Sequence, residues 1–263
     1  MVIRRAYCDG PHGQMHLRIA GGGAPLLLFH QSPLSGAMFN AVLPRLADAG
    51  FHAVAVDTAG FGLSDLPAQE IGIAGYADAM LAVLDGMGWE RAAIIGHHTG
   101  ASIAAALAAT HAGRVQRVVL NGLALLSDAE RAHFAQFRFD PLDLKADGSH
   151  LLAAWNQRIA ASAGWSNLRA MHNYVVEMLA NPDHYRRGFS AAFAHDLETD
   201  LMAMRCETLI LSNTGDDLHQ ASLRAHALRP DFGFAALTGG THDIIDEQPE
   251  AWTKAVVGFL KEA

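Results

Sequence analysis

The chain has 263 residues, 51% of them hydrophobic and 17% charged, with a formal net charge of −8 at pH 7. That length and hydrophobic content fit one large α/β domain, or a domain with an insertion, and exclude a disordered chain. The acidic balance, with Lys and Arg scattered, argues against a nucleic-acid partner, which needs a basic face. No apolar run reaches the ~18–20 residues of a membrane helix. The N-terminal stretch lacks a signal-peptide pattern, and the distant Cys8 and Cys206 suggest no disulfide framework. A cytoplasmic location is therefore expected.

In chain order, residues 2–7 and 14–20 are β-prone runs around a Gly/Pro turn, which predicts an antiparallel hairpin. Short apolar runs then alternate with segments of helical spacing. PLLLFH (25–30) predicts a buried strand, and residues 37–50 a helix closed by Gly50. HAVAVD (52–57) predicts a strand, and 76–88 an amphipathic helix. RAAIIG (91–96), RVQRVVLNG (114–122), ETLILSN (207–213) and FGFAAL (232–237) predict further strands, and 249–263 a closing helix. This alternation implies an α/β fold: a mostly parallel sheet with helices on both faces. Residues 123–200 break the rhythm with helical pieces and no convincing strand, and read as a helical cap inserted into a core of residues 1–122 and 201–263.

The stretch IIGHHTGASIAAALAA (94–109) raises the functional question. Gly-x-x-x-Gly between a strand and a helix is where many hydrolases hold a serine nucleophile; here the middle residue is His98. Three other segments fall at predicted strand ends, where open α/β sheets place ligands: FHQSPLSG (29–36), DTAGFGLSD (57–65), and the pair NTGDDLH with GGTHD (213–219 and 239–243).

Together these motifs resemble the α/β-hydrolase superfamily over nearly the whole chain. The run from Asp57 to Ser64 is similar to its Asp-x-x-Gly-x-Gly-x-Ser turn. His30-Gln31-Ser32-Pro33 resembles its His-Gly-x-Pro loop, with Gln31 departing from the usual glycine, and the order of elbow residue, acid and histidine also agrees. The resemblance implies His242 as acid/base and Asp216 as the acid orienting it, with Asp217 as the alternative. It also implies an oxyanion hole from the backbone N–H groups of Ser32 and Thr99. Asp57 reads as a loop brace and Ser102 as helix packing.

A histidine is sterically admissible at a strained, left-handed apex. His98 there is a candidate nucleophile or general base. The expected reaction is hydrolysis of an ester, lactone or C–C bond in a small apolar or aromatic carbonyl compound. A lyase or hydratase step, or a retired enzyme that only binds a small molecule, are the alternatives. Phe134, Phe137 and Trp155 are candidate substrate-contacting residues of the cap, and Trp165 and Tyr174 could line the same apolar pocket. His30, His97, His98 and His242 all fall at strand ends, but the neighbours 97 and 98 should point apart and no compact ligand pair shares a helix. No metal or other cofactor is expected. The expected partner is a small-molecule substrate, with neither nucleic acid nor membrane, and homo-oligomerisation stays open.

Overall fold

The computed structural model describes residues 2–134, 142–162 and 164–262. Among the described residues, eight strands form one sheet: β1 (Arg4–Gly10), β2 (Gly13–Gly21), β3 (Ala24–Phe29), β4 (Phe51–Val56), β5 (Ala92–His97), β6 (Val115–Asn121), β7 (Glu207–Asn213) and β8 (Gly233–Leu237). Their spatial order is β1-β2-β4-β3-β5-β6-β7-β8. β1 and β2 form the predicted antiparallel hairpin, β2 pairs antiparallel with β4, and every pairing from β4 to β8 is parallel.

The continuous apolar strands are explained by burial on both faces. Along β3, Leu27 and Phe29 enter one core cluster while Leu26 and Leu28 enter the other; along β4, Val54 and Val56 separate in the same way from Ala53 and Ala55. Such alternation puts successive side chains on opposite faces. The helices α2 (Ile73–Gly86) and α3 (Thr99–Thr110) cover the first face, and α1 (Leu43–Asp48) covers the second.

The helix predicted over 37–50 is divided. A short 3-10 turn at Gly36–Phe39, capped by Ser35 Oγ accepting from the Ala37 N–H, precedes α1. Pro44, in the first turn of α1, cannot continue a helix running into it, because it lacks an N–H and its ring crowds the preceding turn.

Between β6 and β7 the described residues form helices and no strand: α4 (Asp128–Phe134), α5 (Ser149–Ala161), α6 (Leu168–Ala180), α7 (Arg187–Ala194) and α8 (Leu197–Ala203). α8 straddles the boundary expected at residue 200, and its Leu197 and Leu201 are buried in the same core cluster as α3. Beyond β7 come α9 (His219–Leu228), α10 (Ile244–Glu247) and α11 (Pro249–Lys261), the last closing the second face with the fully buried Trp252. Among the described residues, no helix is long and apolar enough to cross a membrane.

Candidate active site

The elbow lies between β5 and α3. His98 has φ 50° and ψ −111°, and among the described residues it alone takes positive φ without being glycine. Two glycines permit the turn. A Cβ on Gly96 would stand 2.1 Å from the Gly100 carbonyl oxygen, and one on Gly100 would stand 2.1 Å from that of Phe29. Both distances are far inside van der Waals contact, so the helix passes the strand only because those side chains are absent.

His98 Nε2 lies 2.8 Å from Asp216 Oδ2. Asp216 sits just beyond β7 and is 6% exposed, whereas Asp217 faces solvent. Burial by itself would raise the Asp216 pKa. The adjacent His98, its hydrogen bond and the Leu218 N–H on Oδ1 (2.9 Å) outweigh burial and hold the carboxyl well below its usual range. Asp216 is therefore ionised and only accepts, so the proton of this bond is carried by His98 Nε2. The second ring nitrogen, Nδ1, is left for chemistry.

Sequence reasoning missed Gly122, which makes this pairing possible. It follows β6 with φ +64°, and a Cβ there would lie 2.4 Å from His98 Cδ2 and 2.6 Å from Nε2. The imidazole thus occupies space that any other residue at 122 would fill.

The expected pairing of Asp216 with His242 is corrected by this geometry. An imidazole at the elbow is long enough to reach the acid, and it takes the carboxylate oxygen assigned to His242. The His242 side chain turns instead to Arg158 of α5, whose Nη1 donates to its Nε2, while Arg158 Nη2 donates to Asp243 Oδ2. A guanidinium has no acceptor, so His242 Nε2 carries no proton and the ring is neutral. Burial, followed by the opposed charges of Asp243 and Arg158, leaves the His242 pKa lowered.

The backbone of His242 is held separately. Its carbonyl accepts from His97 Nε2 at 2.9 Å and from Gln31 Nε2 at 3.3 Å. Gln31, the departure from the family loop, thereby ties that loop to the histidine-bearing segment. His97 is fully buried, with its ring centroid 4.3 Å from that of His98. Burial first, and then the neighbouring His98, push its pKa down to about 3.

The Ser32 N–H donates to the Thr99 hydroxyl at 3.4 Å, a long bond, and Thr99 opens α3. Asp57 accepts from the N–H groups of Gly36 (2.8 Å) and Leu63 (3.0 Å) and from His16 Nδ1 (2.9 Å), which is the work of a loop brace. His30 likewise ties its own loop to Thr58, whose N–H donates to Nε2 at 3.0 Å. Ser102 is 1% exposed, inside α3.

A cavity of about 650 Å³ lies between helices α4 to α7 and the residues Pro33 and His242; neither His98 nor Asp216 is among its described lining residues. Phe134 lines it and stacks on Phe193 at 4.7 Å. Trp155 is half-buried and outside its wall, and Phe137 lies outside the described residues. Tyr174, a cap aromatic expected to line such a pocket, and Arg158, which sequence reasoning missed, form part of the wall nearest His242.

This sheet order, with an elbow at the end of β5, an acid after β7 and a histidine after β8, is the α/β-hydrolase arrangement. The family described as alpha/beta hydrolase fold matches residues 24–143. Over 94% of its length the chain is 26% identical to 2-(acetamidomethylene)succinate hydrolase of Mesorhizobium japonicum, covering 91% of that protein. Over its whole length it is 27% identical to a 2-hydroxymuconate semialdehyde hydrolase of Pseudomonas putida, covering 94% of it. Among solved structures, a bromoperoxidase from Bacillus anthracis superposes with a TM-score of 0.83 at 20% identity, over 98% of this chain and 100% of that one. The chain has the α/β-hydrolase fold and is an enzyme of the hydrolase class.

Proposed function

We propose that the protein hydrolyses an ester or lactone of a small apolar or aromatic carbonyl compound, with the His98–Asp216 pair as a general-base dyad. The observation that carries this reading is the 2.8 Å contact from His98 Nε2 to Asp216 Oδ2. An ionised carboxylate on one ring nitrogen fixes the tautomer and stabilises the imidazolium formed when the other nitrogen takes a proton. In this reading Nδ1 removes a proton from water as the oxygen attacks the substrate carbonyl. The acyl–oxygen bond then breaks, and the same proton passes to the leaving alkoxide. Water and ester become acid and alcohol, and the dyad returns to its starting state. Helices α4 to α7 serve as the cap that closes the substrate cavity.

The developing oxyanion is assigned to the N–H groups of Thr99 and Ser32. The Thr99 N–H belongs to the first turn of α3, which has no intrahelical acceptors. The long Ser32 bond to the Thr99 hydroxyl is readily exchanged for a charged oxygen. His242 is given no part in the first proton transfer, since Arg158 occupies its Nε2.

A second reading, His98 as covalent nucleophile, is favoured by its place at the elbow apex. Both are tested by comparing wild type, His98→Ala and Asp216→Asn on chromogenic short-chain esters and lactones, with intact-mass spectra during turnover. Turnover lost in His98→Ala with no adduct supports the base. An acyl adduct on His98 replaces it with the nucleophile, and equal turnover in His98→Ala removes both.

A further inference from the structure

Helix α7 has two different faces. Phe189 and Phe193 line the cavity, whereas Gly188 and Ala191 are buried on the other side. Ala191 joins the core cluster that holds α2 and α3, and Arg187 Nη1 donates to the Pro67 carbonyl at 3.4 Å. The loop after β3 meets the helix from below: Pro33 lines the cavity, and its neighbour Ser32 packs against Gly188.

Glycine weakens a helix relative to alanine, and Gly188 does not take the positive φ that would require one. Its reason is steric. A Cβ on Gly188 would stand 1.9 Å from Ser32 Oγ, 3.0 Å from Ser32 Cβ and 3.1 Å from Phe61 Cζ. Turning the hydroxyl aside relieves only the first of these. The two carbon contacts stay roughly half an ångström inside van der Waals distance. Phe61 has no room to yield, being buried and edge-on to the His30 ring. With α7 held by Ala191 and Arg187, the part left to move is Ser32. Its N–H, now 3.4 Å from the Thr99 hydroxyl, would move with it.

We propose that Gly188 is a positioning residue for the reaction: by carrying no side chain it lets α7 seat on Ser32, and that seat fixes the place of the Ser32 N–H. One helix then sets both a wall of the cavity and one oxyanion donor, so a substrate packed on Phe189 and Phe193 is registered against Ser32. The proposal rests on the hydrolase reading, which gives the Ser32 N–H its role.

The test is binding without turnover. Full-length wild type and Gly188→Ala are titrated calorimetrically with two ligands that share a phenylpropyl body. Methyl 3-phenylpropylphosphonate carries a tetrahedral anion like the transition state of ester hydrolysis; 4-phenylbutyramide is planar and neutral. Wild type is expected to favour the phosphonate, because preorganised donors are aimed at the transition-state charge. Gly188→Ala is expected to cut that preference about tenfold, on a scale where a misplacement of about 1 Å costs about 10²-fold, and to leave amide affinity within about twofold. General loosening of the fold would instead weaken both ligands alike. In a Ser32→Gly background, where Oγ and Cβ are gone, adding Gly188→Ala should change the preference by less than about twofold. If Gly188→Ala does not fold, Phe61→Leu/Gly188→Ala is read against Phe61→Leu, since the shorter side chain makes room for the methyl on that side alone. A preference unchanged by Gly188→Ala, or lost equally in the Ser32→Gly background, would overturn the role of Gly188 and leave the hydrolase reading intact. No phosphonate preference in the wild type would remove the oxyanion assignment itself, and this proposal with it.

Discussion

His98 Nε2 bonds to Asp216 Oδ2 at 2.8 Å, so the acid is joined to the elbow residue and not to His242. The pair puts a fixed tautomer at the point where the chain turns from β5 into α3. Replacing the carboxylate by an amide should therefore remove the charge that favours protonation of Nδ1 while keeping the size of the side chain. Asp216→Asn is expected to lower kcat by about 10²–10⁴-fold, the range of a general base. Steady-state rates on the best ester substrate measure it; a loss under threefold would sink the dyad.

Gly122 offers an independent approach to the same contact. A methyl group there would lie 2.4 Å from His98 Cδ2, and the backbone already stands at φ +64°. Gly122→Ala should push the imidazole off Asp216 and lose stability by about 1–3 kcal/mol through overpacking and strain. The predicted kcat loss parallels that of Asp216→Asn, and the double variant should be no worse than either single one. Additive losses in that cycle would show that Gly122 acts elsewhere.

Much of this was legible in the sequence. The alternation of short apolar runs with helical segments placed the strands, because a sheet buried on both faces leaves continuous runs such as Leu26–Phe29. Gly96 and Gly100 marked the elbow, since only glycine lets α3 pass so close to β5 and β3. The helix over 37–50 was misjudged because Pro44 begins a helix as well as it ends one. The exchange of partners at Asp216 was illegible for a different reason. It depends on the reach of an imidazole and on empty space above Gly122, and neither is a property of spacing along the chain. Arg158 carried no local signal either, for its partners Asp243 and His242 lie more than 80 positions away.

His97 makes folding stability depend on pH in a defined window. It is buried, and its pKa falls to about 3 from an ordinary 6.5. The folded protein keeps it neutral, so its contribution is fully present above the unfolded value. As pH falls, the unfolded chain takes the proton first, and stability is lost from about pH 6.5 down to the folded pKa. The total is on the order of 5 kcal/mol. Asp216, whose pKa is also depressed, acts only lower, as pH falls below its unfolded value of about 4. Urea unfolding of wild type and His97→Asn between about pH 7 and 4 separates the two effects. The wild type should lose stability more steeply with falling pH; parallel curves would show that His97 is not held neutral.

The same exchange of partners predicts that placing serine at the elbow will not by itself create a serine hydrolase. A hydroxyl at 98 is too short to reach Asp216, which leaves a carboxylate that is 6% exposed without its imidazole. An unmade bond of this kind costs about 1–3 kcal/mol, so His98→Ser should be less stable than wild type. The base it would need is engaged: His242 Nε2 accepts from Arg158, and Gln31 and His97 hold its carbonyl. Labelling of the introduced hydroxyl by a fluorophosphonate, read by intact mass, is therefore expected to be slow in His98→Ser. It should accelerate when Arg158→Gln is added, because Nε2 is then able to accept the hydroxyl proton. Rapid labelling of the single variant would mean that His242 swings to Asp216 as soon as the imidazole at 98 is gone. The Arg158 contact would then be too weak to decide which residue the acid serves.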